Sequence, residues 1–219
     1  YAQAIARKPP AEQSSAFVAR AGFRAGTYDL EGAIADYDRA IAIEPEANLY
    51  LRRAYFNRKL GRIDAAIADA REAMKLAPSP ESALTLADSL GYGGKSEEAL
   101  KLLTEYDDMG DEHTFVVNVR SDVLGFAGKG VEGLKEIDAL IEEKPGDTSL
   151  LNSSCWYRAR FRVGTEGMIA ICNQAVERAS NAPAVLDSRA LAWIASGNLT
   201  AALTDADAAL KIMPGQVQT

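Results

Sequence analysis

Apolar residues recur along this chain on one long beat. The dipeptides Ala33-Ile34, Ala66-Ile67, Ala99-Leu100, Gly133-Leu134, Met168-Ile169 and Ala202-Leu203 follow one another at spacings of 33, 33, 34, 35 and 34 residues. Pro45, Pro78, Pro145 and Pro214 each lie twelve residues after such a dipeptide, and Gly61, Gly94, Gly128 and Gly197 lie five before one. Each period therefore reads helix, Gly-centred turn, helix, Pro-containing turn. All eight prolines fall in turns between periods, so no helix interior is broken. The pattern predicts no strands and thirteen helices. One stands alone near 1–8, followed by pairs near 11–25 and 30–43, 47–59 and 63–76, 80–91 and 96–108, 114–126 and 131–143, 148–161 and 166–179, and 183–195 and 199–212.

On the second helices of three pairs, small residues sit seven apart: Ala33 and Ala40, Ala66 and Ala73, Ala202 and Ala209. A small side chain lets two helix axes approach, and larger residues such as Tyr37 fill the space between. Ala21, Ala54, Ala87, Ser121, Cys155 and Ala190 take the matching close-contact place on the first helices. Segments such as Gly32-Ala-Ile-Ala-Asp-Tyr-Asp-Arg-Ala-Ile-Ala-Ile-Glu-Pro45 and Gly61-Arg-Ile-Asp-Ala-Ala-Ile-Ala-Asp-Ala-Arg-Glu-Ala-Met-Lys-Leu-Ala-Pro78 carry this arrangement in full. They resemble the tetratricopeptide repeat, a family of 34-residue helix pairs, and the resemblance extends over nearly the whole chain. It implies an all-α, right-handed superhelical solenoid. Residues 1–10 read as the second helix of a preceding, truncated repeat, and 11–219 as one array of six repeats at 14–46, 47–79, 80–113, 114–147, 148–182 and 183–216.

Several positions depart from the pattern. Gly26 stands two residues early relative to its counterparts, and the third repeat ends at Met109-Gly110-Asp111 without a closing proline. The fourth repeat holds Gly125, Gly128, Gly130 and Gly133, the last in place of alanine. An interior glycine costs a helix about 0.5–1 kcal/mol relative to alanine, which marks repeats three and four as the softest stretch. Solenoids use polar capping helices at their ends. Because none is evident here, the pattern implies a fragment of a longer protein whose apolar ends, with Leu203, Ala206, Leu210 and Ile212 on the last helix, are available for homo-association.

Composition narrows the function. The 24 basic and 31 acidic residues give a net charge of −7, against a nucleic-acid binder, and no apolar run is long enough for membrane insertion. Residues 79–149 hold 6 basic and 16 acidic residues, an acidic middle suited to steering a basic partner. His113 is the single histidine, which leaves little for catalysis; no enzyme activity, cofactor or metal site is expected. The acidic cluster Glu105, Asp107, Asp108, Asp111 and Glu112 matches no metal-loop spacing and reads as a solvated turn. Cys155 and Cys172 face each other across the fifth helix pair, either as two buried thiols or as a disulfide, and a disulfide would imply an oxidising compartment.

The family resemblance also implies a working surface. First helices of successive repeats line a groove that receives a peptide or helix of a protein partner. Projection places Arg52, Tyr55 and Lys59 there, then Asp88 and Tyr92, Asn118, Asp122 and Phe126, and Asn152, Trp156 and Arg160. Trp193 is expected in the core instead. The cationic clamp of heat-shock co-chaperones is not reproduced, since its places hold Val18, Gly22, Arg52, Glu81 and Thr85. The implied role is a protein–protein interaction scaffold. Leu-Asn-Ser-Ser-Cys-Trp156 followed by Cys172 also resembles bacterial arrays that stand behind a transglutaminase-like domain. That resemblance implies, as alternatives, a substrate-positioning or regulatory tail of a larger enzyme, or a structural spacer. A bacterial origin would place the chain in the cytoplasm or the periplasm.

Overall fold

The structure, a computed structural model, describes residues 9–106 and 113–212. Twelve helices form among them: α1 (Pro10–Gly26), α2 (Leu30–Ile43), α3 (Ala47–Lys59), α4 (Ile63–Leu76), α5 (Pro80–Tyr92), α6 (Ser96–Thr104), α7 (His113–Phe126), α8 (Gly130–Glu143), α9 (Thr148–Phe161), α10 (Met168–Arg178), α11 (Pro183–Ala195) and α12 (Leu199–Ile212). No strand forms among the described residues. The helix expected near 1–8 lies outside them. The chain is an all-α helical repeat of two compact modules, Tyr1–Asp108 with α1–α6 and Met109–Thr219 with α7–α12.

In the first module each helix packs on the next in sequence, and α3 also touches α5, the first helix of the following pair. The small residues explain the close approach. Ala21, Ala54 and Ala87 on the first helices and Ala33, Ala66 and Ala99 on the second are all buried. Tyr37 fills the space beside them and stacks on Phe56 at 5.9 Å. Local chemistry sets the boundaries. Asp29 caps α2 by accepting the Gly32 N–H at 2.9 Å, and Ser79 and Ser82 form a reciprocal capping box ahead of Pro80, the first residue of α5.

The turns keep the register of the repeat. Gly61, Gly94, Gly128 and Gly197 adopt the left-handed backbone, with φ of 72°, 71°, 76° and 80°. In the first repeat the early Gly26 does not move the turn: α1 runs through it, and Tyr28, five residues before Ala33, takes the left-handed conformation at φ 60°. Packing of α1 on α2 fixes the period and overrides the local glycine preference. Helix α6 ends at Thr104, short of the expected 108. Acidic residues from Glu105 onward oppose the helix dipole at its carboxyl end and offer nothing to its last carbonyls.

The second module is less regular. Its first helices α7, α9 and α11 pack side by side in sequence order, with α8, α10 and α12 completing the pairs. The glycines of α7 and α8 receive side chains from the next repeat. A Cβ on Gly125 would lie 2.5 Å from the Phe161 ring, and one on Gly133 would lie 2.2 Å from the Tyr157 hydroxyl and 2.8 Å from the Ser121 carbonyl oxygen. The Tyr157 hydroxyl donates toward the carbonyl oxygens of Ser121 at 2.9 Å and Gly130 at 3.2 Å. The fourth repeat therefore does not simply carry glycines at a cost in helix propensity. The missing methyl groups make room for the buried Tyr157 and the half-buried Phe161, and full burial of such an aromatic side chain contributes about 1.5–3 kcal/mol.

The turn before α10 is long, with Arg162, Gly164 and Gly167 all at positive φ, so α10 starts at Met168 rather than near 166. A disulfide joins Cys155 on α9 to Cys172 on α10, with Cα atoms 4.9 Å apart, across this turn. Trp193 is half-buried on α11 rather than in the core, while Ala192 beside it is fully buried. On α12, Leu203, Leu210 and Ile212 are exposed and Ala202 and Ala209 are buried against the pair.

Candidate partner-binding recesses

A recurring ion pair stiffens the helix pairs and sets the faces left for binding. An Arg immediately before the small residue of the first helix reaches an acid sixteen residues later on the second. Arg20 holds Asp36, Arg53 holds Asp69, Arg120 holds Glu136 at 2.7 Å, and Arg189 holds Asp205 at 2.7–2.8 Å. Asp36, fully buried, also receives Arg24 at 3.0 Å and Arg39 at 3.4 Å. Hydrogen bonds donated to Asp36, Asp69 and Asp205 raise the pKa of Arg20, Arg53 and Arg189 above the usual arginine range, so these charges are fixed. Sequence periodicity contained this spacing, but the pairs emerge only when the two helices are folded back antiparallel.

Beside these occupied charges, a recess lies on the first-helix faces of each module. In the first module a recess of about 340 Å³ lies between α3 and α5, lined by Asn48, Leu51, Arg52, Tyr55, Phe56, Arg58, Glu81, Thr85 and Asp88. Arg58 pairs with Asp88 at 3.2 Å and stands over the Tyr55 and Tyr92 rings at 5.7 and 4.7 Å. Lys59 lies over the other side of this group, 5.6 Å from Tyr55. Arg58, absent from the sequence expectation, is the residue that ties Tyr55, Asp88 and Tyr92 together.

In the second module a recess of about 290 Å³ is lined by Asn118 and Asp122 of α7, Ile137 of α8, Asn152, Ser153, Trp156 and Tyr157 of α9, and Ser188 of α11. Asn118 and Asp122 are one helical turn apart, as are Asn152 and Trp156, so each pair shares a face. The two asparagines occupy equivalent repeat positions, 34 residues apart. The side-chain oxygens Asn118 Oδ1 and Asn152 Oδ1 are buried without a hydrogen-bond partner. Tyr157 forms part of the floor. Burial raises its pKa, and the charges of Asp122 and Glu136 raise it further, so the phenol stays neutral and keeps its donated hydrogen bonds.

Seven of the eleven residues projected onto the groove thus line the two recesses: Arg52, Tyr55 and Asp88 in one, Asn118, Asp122, Asn152 and Trp156 in the other. Lys59 and Tyr92 flank the first. Phe126 and Arg160 come together beside the second, with the Arg160 guanidinium 5.2 Å from the Phe126 ring and 4.9 Å from Trp156. Among the described residues no group of three or more His, Cys, Asp or Glu side chains could hold a metal, and no helix is long and apolar enough to cross a membrane.

Comparison with known proteins fits this architecture. No curated protein sequence matches the chain. Solved structures of several bacterial proteins share its fold. A tetratricopeptide-repeat protein of Thermus thermophilus is 20% identical with a TM-score of 0.60, over 77% of this chain and 92% of that one. PilF of Pseudomonas aeruginosa is 14% identical with a TM-score of 0.57, over 95% and 96%. A tetratricopeptide-repeat protein of Parabacteroides merdae is 15% identical with a TM-score of 0.54, over 94% and 81%. The tetratricopeptide-repeat family model matches residues 47–80, the α3–α4 pair and its following turn, so the chain carries a tetratricopeptide repeat there, set among helix pairs of the same kind.

Proposed function

We propose that this interaction scaffold holds an extended segment of a partner protein along α7, α9 and α11, anchored in the recess of the second module. One observation carries the reading: Asn118 Oδ1 and Asn152 Oδ1 are buried in the same recess with no partner. A buried acceptor left unsatisfied costs about 1–3 kcal/mol. Two such amides at equivalent repeat positions, both lining one recess and neither satisfied by the fold, are best explained by a ligand that meets them there. The half-buried Trp156 beside them supplies the aromatic anchor that such interfaces use. Selection of short random peptides on the immobilised chain tests the proposal. Captured peptides should be lost on Trp156→Ala and on Asn152→Ala. A screen that captures none, or capture indifferent to both substitutions, would overturn it.

A further inference from the structure

The fifth helix pair is held together differently from its neighbours. In four pairs an Arg just before the small residue of the first helix reaches an acid on the second: Arg20 to Asp36, Arg53 to Asp69, Arg120 to Glu136 and Arg189 to Asp205. In the fifth pair Ser154 stands in the place of that Arg, and Ala170 and Ile171 follow it by sixteen and seventeen residues. Neither of those side chains carries a charge. One residue further along each helix come Cys155 and Cys172, joined by a disulfide with a sequence separation of 17. The third pair also lacks the clamp, with Leu86 and Leu102 in its places, and has no cysteine to replace it.

A covalent link thus stands in for the ion pair on α9, the helix that supplies half of the recess lining. Asn152, Ser153, Trp156 and Tyr157 all lie within three residues of Cys155. Rotation of α9 about its axis decides whether these side chains face the recess, and Cys155 is the point at which that rotation is bonded to α10. On its own α10 offers little stiffness. It has 11 residues, a length at which an isolated helix is marginal, and it starts after Gly167 without a side-chain cap. The turn leading into it holds Arg162, Gly164 and Gly167 at positive φ. Both cysteines are fully buried against Ala159, Met168 and Ala192, a close-packed site that must expand to take two separate thiols in place of one disulfide.

Resting on the reading of that recess as the binding site, we infer that the Cys155–Cys172 disulfide is a latch that sets the second-module recess, so that the chain binds its partner there only after folding in an oxidising compartment. Closing the latch breaks two S–H bonds and makes one S–S bond. The two electrons and two protons pass to a disulfide oxidant, which leaves as two thiols. Burial of both sulfurs then keeps external thiolates away, so the latch is set once, during folding, and is not a reversible switch.

NMR on three forms of the whole chain tests this: the oxidised chain, the chain refolded in the presence of a dithiol, and the Cys155→Ala/Cys172→Ala variant. In the latter two, the Trp156 indole N–H and the Asn118 and Asn152 side-chain amide signals should move or broaden, while signals of α1–α6 and α12 stay in place. Affinity for peptides selected on the oxidised chain should fall at least about tenfold, as the fraction of chains with a competent recess drops. The folded, oxidised chain should keep its disulfide in millimolar glutathione. Unchanged recess signals and unchanged peptide affinity in both forms lacking the bond would overturn the latch and leave the extended-segment reading standing. Loss of the α12 signals together with those of the recess would also overturn it, since the bond would then staple the whole module. Recess signals that move as expected in a chain that captures no peptide sink the extended-segment reading alone.

Discussion

The two modules use the same helix pairs and fill their crossings differently. In the first, the crossings are filled by small residues, Ala21, Ala54 and Ala87 on the first helices and Ala33, Ala66 and Ala99 on the second, all of them buried. In the second, Gly133 stands where alanine is usual and admits the Tyr157 hydroxyl, a disulfide occupies the fifth pair, and two asparagine oxygens are buried without partners. The family model matches within the regular module. Departures from the repeat are therefore informative. Gly133 lets Tyr157 down into the floor of the recess, and that recess is where hydrogen-bonding capacity is left open.

The strongest contrast to test is between the ion pairs. Asp36→Ala strands Arg20 and removes a partner from Arg24 and Arg39 in a buried site, so urea denaturation should show a loss of about 3–5 kcal/mol. Glu136→Ala, in the corresponding place of the second module, removes a part-exposed acid from Arg120 and should cost about 1 kcal/mol or less. Equal costs would break the comparison. Next in size is the disulfide. Replacing both Cys155 and Cys172 by alanine opens a loop with a sequence separation of 17 and should cost about 3 kcal/mol. Hydrogen exchange should accelerate in α9 and α10 while α1–α6 keep their protection.

Gly133→Ala follows. Alanine is the better helix former by about 1 kcal/mol, yet the new methyl meets Tyr157 and the Ser121 backbone, so thermal unfolding should show a net loss of about 1–3 kcal/mol. A gain in stability would mean that glycine there is only a weakness. The smallest effect belongs to the first module. Tyr28→Gly, at φ 60°, should gain about 1 kcal/mol by releasing left-handed strain at a turn that elsewhere uses glycine.

Much of this architecture was written in the sequence. The Ala-Ile beat and its glycines and prolines place helices such as Leu30–Ile43, Ala47–Lys59, Ile63–Leu76 and Leu199–Ile212 to the residue, because one amphipathic unit repeats and its breakers are unambiguous. The groove residues came from repeat register, which states the face of a helix without stating what meets it. The clamps Arg20–Asp36 and Arg53–Asp69, the reach of Tyr157 over Gly133 and the grip of Arg58 on Asp88 join residues of separate helices, so they become visible only after the helices pack. Tyr28 in a glycine place shows the reverse case, a local rule overridden by the period.

The central claim is that Asn118 and Asn152 serve a ligand and not the fold. Thermal unfolding of Asn118→Leu/Asn152→Leu against the parent chain tests it most directly. Removing two buried, unpaired acceptors should leave the midpoint equal or raise it, because an unsatisfied buried polar group is a cost that apolar replacement relieves. A clearly lower midpoint would contradict the account, since it would show that these amides hold the second module together.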